Sequence, residues 1–475
     1  MKILKVYVPW AMLIVSFFYF AALAFLSQNS WGGADNIVHY RIARYAFKYP
    51  ELFLDLWGKP LFTLLSSPLA QLGYGYMKLF NVIVAIFTAF FTWRVTKLIQ
   101  LDTGFVAIAA VLFAPVYFLL IPSAMTELLF GLIIILSIYL FFNERFLFSA
   151  IAISFLPFAR NEGFILIPIF LLAYILKKKY YAIPFVATGF LIFSLAGWSH
   201  FDNFFWIFDN NPYKGASDIY GHGTLFHFVK RSPDMFGIPL LILFVVGIAI
   251  IKIKVFKDKF KLTNDFFLFL LVIASAAIYF AAHSYVWWKG LGGSLGLTRV
   301  IAGIIPLVAV TGVYALDKIS GKVWVKHTIA MVAILLIVYI PIKKYDVPFG
   351  MDAAEKMVKE TSEWMIENDL DQRFIFYYNP VFCHYLEIDP YDKEKSWEQI
   401  WDRESPASAV KPGALVIWDA HFGPNEGHMP KDKLLNDPAF RVIKHLIPDH
   451  PFKVLNGYDY EIYVFERIAI SEEEM

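Results

Sequence analysis

Residues 31–73 read WGGADNIVHYRIARYAFKYPELFLDLWGKPLFTLLSSPLAQLG. The stretch separates the first two strongly apolar segments. It carries Asp35, His39, Arg41, Arg44, Glu51, Asp55 and Lys59 among aromatic and aliphatic residues. Connections between packed elements are mostly short, so a long amphipathic loop that opens on an acid does more than reverse the chain. It reads as the floor of a site lying against a bilayer surface.

The rest of the composition agrees. The chain has 475 residues, of which 58% are hydrophobic, 18% aromatic and only 17% charged. Soluble domains are roughly a quarter charged, so this is a polytopic membrane protein. A formal net charge of +2 makes no case for a nucleic-acid partner. The 48 Phe and 26 Tyr suit membrane interfaces and also the walls of sugar and lipid grooves. Cys383 is the only cysteine, which excludes an intrachain disulfide.

Apolar stretches that span a bilayer, or nearly do, fall at about 6–27, 76–98, 104–121, 124–142, 146–158, 163–176, 180–199, 237–254, 265–283, 297–316 and 325–342. Crossing takes roughly 20 residues, so 146–158 and 163–176 are short and read as a broken pair. The first run, preceded by Lys2 and Lys5, exceeds the ~7–15 residues of a signal-peptide core and reads as a retained helix, although Ala22 and Ala24 have small-x-small spacing. The positive-inside rule places the N-terminus and the basic runs at 177–179, 252–261 and 317–326 in the cytoplasm. The first outer loop, 28–75, then lies outside, and so does everything after about residue 343. The expected organisation is a transmembrane part, 1–342, of about eleven helices, followed by a small extracytoplasmic α/β domain, 343–475. In that domain 353–368 has helical period, and 373–378, 414–419, 440–447 and 460–467 read as strands.

The polar residues outside are the candidates for chemistry. Asp35 follows Gly32-Gly33, where the backbone can bend sharply. It caps the helical pattern of 37–47 or serves as a general base on a hydroxyl, and the two readings are compatible. His39 stands one helical turn later on the same face. Lys59 opens a second amphipathic segment and either meets a phosphate or snorkels. Glu127 begins the fourth apolar run, where a helix dipole favours an acid. Arg160 and Glu162, in RNEG, stand at the membrane lip, which is costly for charges unless they are paired. They pair with each other, or Glu162 holds Arg160 on a phosphate. Arg299 follows the glycine-rich approach KGLGGSLGLT and opposes the dipole of the helix it starts. Guanidinium and helix N–H groups gripping a phosphate explain it; snorkelling is the alternative. His222 and His283 read as structural. In the tail, Asp419, His421, Glu426 and His428 have zinc-ligand types without the spacing of a closed site, so no metal site is assigned.

These features together resemble the GT-C superfamily of integral-membrane glycosyltransferases that use polyprenyl-phosphate sugars. The resemblance rests on GGAD with Asp35, GKPLFTLLSSPLAQLG, TELLFGLIIILSIYLF, FARNEGFILIP, YGHGTLFHF and LGLTRVIAGIIPL, and it covers about residues 1–340. The last three look like elements of a mannosyltransferase-like bacterial subgroup. The resemblance implies transfer of a sugar, with mannose a candidate, from a polyprenyl-phosphate donor to a glycan, lipid or protein acceptor. That transfer would take place on the outer face of a bacterial inner membrane. Asp35 would be the base, and Arg299 with Arg160 or Lys59 would bind the phosphate. The superfamily often shows paired acids in this loop. Here Asn36 follows Asp35, which leaves a divalent metal open and makes Glu127 a candidate second acid. A transporter or flippase of a lipid-linked or anionic solute would also place cations near the membrane, but it would show deeper charges and internal repeats. A non-catalytic scaffold would gain nothing from charge at the membrane lip.

Overall fold

The computed structural model describes residues 2–29, 34–213, 215, 219–319 and 323–469. Every apolar stretch identified above is helical. Among the described residues seven helices are long and apolar enough to cross a membrane: Tyr7–Leu26, Tyr74–Leu98, Tyr180–Phe201, Ile238–Lys257, Asn264–Lys289, Thr298–Asp317 and Val323–Lys344. The chain is an integral, multi-pass membrane protein.

The other four stretches are shorter or interrupted, and proline is the main reason. Residues 104–121 form Val106–Leu112 and Pro115–Leu120, and Ala114 between them is extended, because the residue before a proline is driven out of the helical region. Residues 146–158 form Phe146–Ser154 and Leu156–Ala159, the latter carrying Pro157 near its start. The next stretch is a 3₁₀ turn, Asn161–Ile165, followed by Ile167–Leu176. Glu127–Phe142 is one continuous helix of 16 residues.

The chain divides into two compact units. One comprises Met1–Ser27, Ile42–Ser217 and Gly221–Phe349; the other comprises Gln28–Arg41, Asp218–Tyr220 and Gly350–Met475. In the first unit, Thr298–Asp317 is almost wholly enclosed by protein. Its helical part packs on Tyr74–Leu98 and Ile238–Lys257. The approach to the latter is close: a Cβ on Gly247 would meet the Thr311 carbonyl oxygen, and one on Gly312 would meet Leu243. Small residues at such crossings let helix backbones meet where lipid supplies no hydrophobic drive.

The second unit is built on a sheet with strands β1 (Ile375–Tyr377), β2 (Ser396–Glu398), β3 (Leu415–Asp419), β4 (Phe440–Leu446) and β5 (Ile462–Arg467). The order is β2-β1-β3-β5-β4. The β2-β1-β3 part is parallel and the β3-β5-β4 part antiparallel. The expected strands all form; β2, three residues inside the charged run DKEKSWEQ, has no sequence signature. Helix Ala353–Glu367 starts where Asp352 accepts the Glu355 N–H at 2.8 Å, a side-chain cap that satisfies one of the free amides of the first turn. Residues 28–41 join this unit through the first part of helix α2 (Ala34–Tyr45). Arg41 Nη2 meets Glu398 Oε2 of β2 at 2.6 Å, and Tyr40 stands edge-on to His384. Cys383 is buried, its thiol donating to the Pro380 carbonyl.

Candidate active site

In the first unit five of the singled-out residues form one charged cluster. Glu127 opens its helix and is completely buried. Thr126, the preceding residue, makes no cap bond. Its hydroxyl instead accepts from Arg160 Nη1 at 3.2 Å. Arg160 divides its guanidinium between two acids, with Nη1 2.9 Å from Glu127 Oε1 and Nη2 2.8 Å from Glu162 Oε1. The pairing within RNEG and the pairing across the fold are both present. Arg160 reaches both because the chain folds back on itself: a Cβ on Gly163 would lie 2.6 Å from the Leu156 carbonyl carbon and the Pro157 nitrogen. Only glycine allows that approach.

Arg299 joins the cluster at the same Glu127 oxygen. It is the second residue of the 3₁₀ segment Thr298–Ile304, which leads into Ile305–Asp317. Its Nε lies 3.7 Å from Glu127 Oε1, and its Nη1 faces Met125 Sδ at 3.8 Å. The electrostatic reason for an arginine at this helix start is therefore tertiary. The two elements approach closely: a Cβ on Gly303 would strike the Phe130 ring, and one on Gly131 would crowd the Gly303 carbonyl.

Lys59 is buried and does not snorkel. It stands in the left-handed region, φ 65°, immediately before Pro60 of helix α3 (Pro60–Ala70). Its ammonium donates to the Leu56 carbonyl at 3.0 Å and to the Tyr213 hydroxyl at 2.6 Å. Left-handed backbone at a lysine costs energy and is retained where the fold over-determines it. Here Gly58 donates to Asp55 Oδ1 at 2.7 Å, and any side chain on Gly58 would strike Ile42. Burial pulls the Lys59 ammonium down to about 7, and Arg160 adds to the effect against Glu162, Asp55 and Glu127. An anion entering the cluster would restore its proton.

Two further residues join the cluster: His283, which reads as structural from the sequence, and Tyr279, which carries no sequence signal. His283 Nε2 lies 3.5 Å from Glu162 Oε1, and its ring stands edge-on to Tyr279. Tyr279 is fully buried and donates to the Val300 carbonyl at 3.0 Å, next to Arg299. Both ride on Ser275–Lys289, downstream of a π-helical turn at Phe269–Ala274. Such a turn re-aims every later side chain relative to a plain α-helical register, so counting from the sequence misplaces them. His283 is thus a member of the cluster rather than an isolated structural histidine.

Asp35 and His39 belong to the second unit. Asp35 lies in the first turn of α2, half-buried, and His39 is buried one turn later. The Gly32-Gly33 bend lies outside the described residues. Among the described residues no three His, Cys, Asp or Glu side chains converge in an arrangement that holds a metal ion.

The cluster sets three basic side chains, Lys59, Arg160 and Arg299, against two carboxylates, Glu127 and Glu162. Glu127 and Glu162 orient the guanidinium groups, and with Lys59 protonated one positive charge is left over for an anion.

No protein-family model matches the sequence, and no curated protein matches it. Solved structures do. ArnT from Cupriavidus metallidurans bound to undecaprenyl phosphate aligns with a TM-score of 0.56, over 97% of this chain and 97% of that one, at 11% identity. The Archaeoglobus fulgidus oligosaccharyltransferase tethered with an acceptor peptide aligns at 0.51, over 88% and 70%, at 12% identity. The mycobacterial arabinofuranosyltransferase AftD aligns at 0.52, over 96% of this chain and 40% of that one, at 10% identity. The chain shares the fold of these three solved proteins.

Proposed function

We propose that the protein transfers a sugar from a polyprenyl-phosphate donor to an acceptor hydroxyl on the outer face of the membrane. Mannose is the sugar to try first. The observation that carries this reading is the cluster of Lys59, Arg160 and Arg299 around Glu127 and Glu162, in a chain with the fold of ArnT, whose solved complex holds undecaprenyl phosphate.

In this reading the acceptor hydroxyl attacks the anomeric carbon and gives its proton to Asp35. The bond from that carbon to the phosphate oxygen breaks, and the lipid phosphate leaves with the electron pair. Arg299, Arg160 and protonated Lys59 stabilise the charge that grows there, the largest single term in many such reactions. Glu127 and Glu162 hold the two arginines in register. The amphipathic helices of the first loop guide the prenyl chain from the bilayer.

The test uses protein in nanodiscs with undecaprenyl-phosphate mannose and an acceptor extract, reading release of undecaprenyl phosphate. Asp35→Asn keeps the side chain's size and should lower turnover by about 10²–10⁴, the usual span for loss of a general base, while undecaprenyl phosphate still binds. Arg299→Lys keeps charge but loses the fork and should abolish most turnover in a folded protein. Parental turnover in both variants would refute the reading.

A further inference from the structure

Two helices of the first unit, Tyr7–Leu26 and Tyr74–Leu98, pack against each other. Between their outward sides runs a groove of about 340 Å³ that exposes no polar atom. Leu13, buried, is its floor. Trp10, Ile14 and Phe18, spaced i, i+4 and i+8, form one wall, and Phe87 and Phe90 stand in the other. A second hollow, of about 330 Å³, shares Trp10 with the first and is lined by Arg94 and Lys97. Positions 87, 90, 94 and 97 lie on one stripe of Tyr74–Leu98, so a single helix face turns from apolar to doubly cationic within about one turn. From Phe87 to Lys97 the stripe runs about 15 Å, half of a hydrocarbon core of about 30 Å. The two hollows together have the depth of one leaflet.

Cations at the end of a membrane helix ordinarily snorkel into water. These two lie over rings instead. The Arg94 guanidinium carbon is 5.7 Å from the ring centre of Phe90 and 5.7 Å from that of Tyr139, and Lys97 Nζ is 5.5 Å from Trp93. All three contacts fall within the ~6 Å reach of cation–π attraction. Among the described residues no carboxylate pairs with either cation, and only Trp10, Trp93 and Leu98 complete the hollow around them. Lys254, at the end of Ile238–Lys257, is treated differently, because Asp265 meets it at 2.5 Å. A ring face uses little of the donor capacity of a guanidinium or an ammonium, so N–H groups remain for an anion. Side chains three apart on a helix have Cβ atoms about 5–6 Å apart, close enough for one phosphate to meet both.

We propose that this groove is a binding site for one anionic phospholipid of the cytoplasmic leaflet, its acyl chain between the two helices and its phosphate between Arg94 and Lys97. The order of the lining, apolar and then doubly cationic, is the order of such a lipid. A zwitterionic headgroup would bring its own ammonium to the two cations, which favours a headgroup with net negative charge. The positive-inside rule gives this end of Tyr74–Leu98 to the cytoplasm, where basic pockets between membrane helices take anionic headgroups. The lipid holds Tyr7–Leu26 in place, a helix that rests on the protein chiefly through Tyr74–Leu98. The inference is independent of the reaction the protein performs.

The experiment titrates the full chain in detergent with phosphatidylglycerol and with phosphatidylethanolamine and counts bound lipids by native mass spectrometry. One phosphatidylglycerol should bind at least about fivefold more tightly than phosphatidylethanolamine, and Arg94→Gln and Lys97→Gln should each weaken it by roughly fivefold, the worth of one basic side chain beside anionic lipid. Lys97 is exposed, so Lys97→Gln leaves the fold intact and keeps the test decisive if Arg94→Gln does not accumulate. Ile14→Trp, which fills the apolar half and spares both cations, should weaken binding as well. Lys252→Gln, at the end of another membrane helix, should bind as the parent does. Equal affinity for the two lipids, or an equal loss in Lys252→Gln and Lys97→Gln, would reduce Arg94 and Lys97 to snorkelling residues and overturn the site. Displacement of the bound phosphatidylglycerol by equimolar undecaprenyl phosphate would overturn it too, by assigning the groove to a polyprenyl lipid.

Discussion

Glu127 and Asp419 are both completely buried carboxylates, and the protein meets the cost of burying them in opposite ways. Glu127 lies between two guanidinium groups, Arg160 at 2.9 Å and Arg299 at 3.7 Å. Among the described residues no cation pairs with Asp419. Its Oδ1 takes two backbone N–H groups and its Oδ2 takes none, so burial pushes it up to about 7, with Glu426 adding to the rise. A buried carboxyl needs partners or a proton. The first solution builds a charged cluster that can be re-paired by an incoming anion. The second builds a loop that remains neutral at modest pH and titrates near physiological values.

The contrast is broken most severely at Arg160. Arg160→Met should strand Glu127 and Glu162 and cost about 3–5 kcal/mol, as for other buried pairs that lose one partner, seen as a lower melting temperature in detergent. Adding Glu127→Gln should recover part of the loss. If Arg160→Met melts like the parent, the cluster is not what compensates Glu127.

Asp419 gives the next effect. Its folded value, about 7, lies above the ordinary carboxylate range, so the stability it contributes is complete at low pH and is lost as pH rises through about 7. Asp419→Asn removes that loss. At about pH 8 the variant's C-terminal domain should be more stable than the parent's by on the order of 4 kcal/mol, and at about pH 4 it should show no such advantage. Hydrogen exchange of β3 in the full chain reads both conditions. An advantage independent of pH would mean that the carboxyl is not titrating.

Lys59 gives the smallest effect and sharpens the first half of the comparison. Because its ammonium is pulled down to about 7, its help to a bound phosphate should fade as pH rises. The affinity gap for undecaprenyl phosphate between the parent and Lys59→Met should close from about tenfold at about pH 6 to none at about pH 9. A constant gap would show that Lys59 acts through packing or keeps its proton throughout.

Much of this architecture is written locally. Runs such as 238–254 are apolar for long enough to make a membrane helix whatever surrounds them, and Pro115 breaks its run because a ring replaces an N–H. Asp352 ahead of Glu355 starts its helix, and the Ile, Val, Phe and Tyr of β3 and β5 announce strands. Asp35, Lys59, Glu127, Arg160 and Arg299 stand out because charge at a membrane lip is expensive anywhere.

Which partners those charges take was decided only by packing. Glu127 and Arg299 are 172 positions apart, and they meet because Gly131 and Gly303 let two elements touch. His283 and Tyr279 are aimed into the cluster by a π-helical turn with no residue signature. Lys59 looks able to snorkel and is instead locked inside. Tyr220 finds Glu426 across 206 residues. Periodicity, caps and turn chemistry report on neighbours a few positions away. The pairing of buried charges depends on which helix faces meet, and that is a property of the whole packed chain.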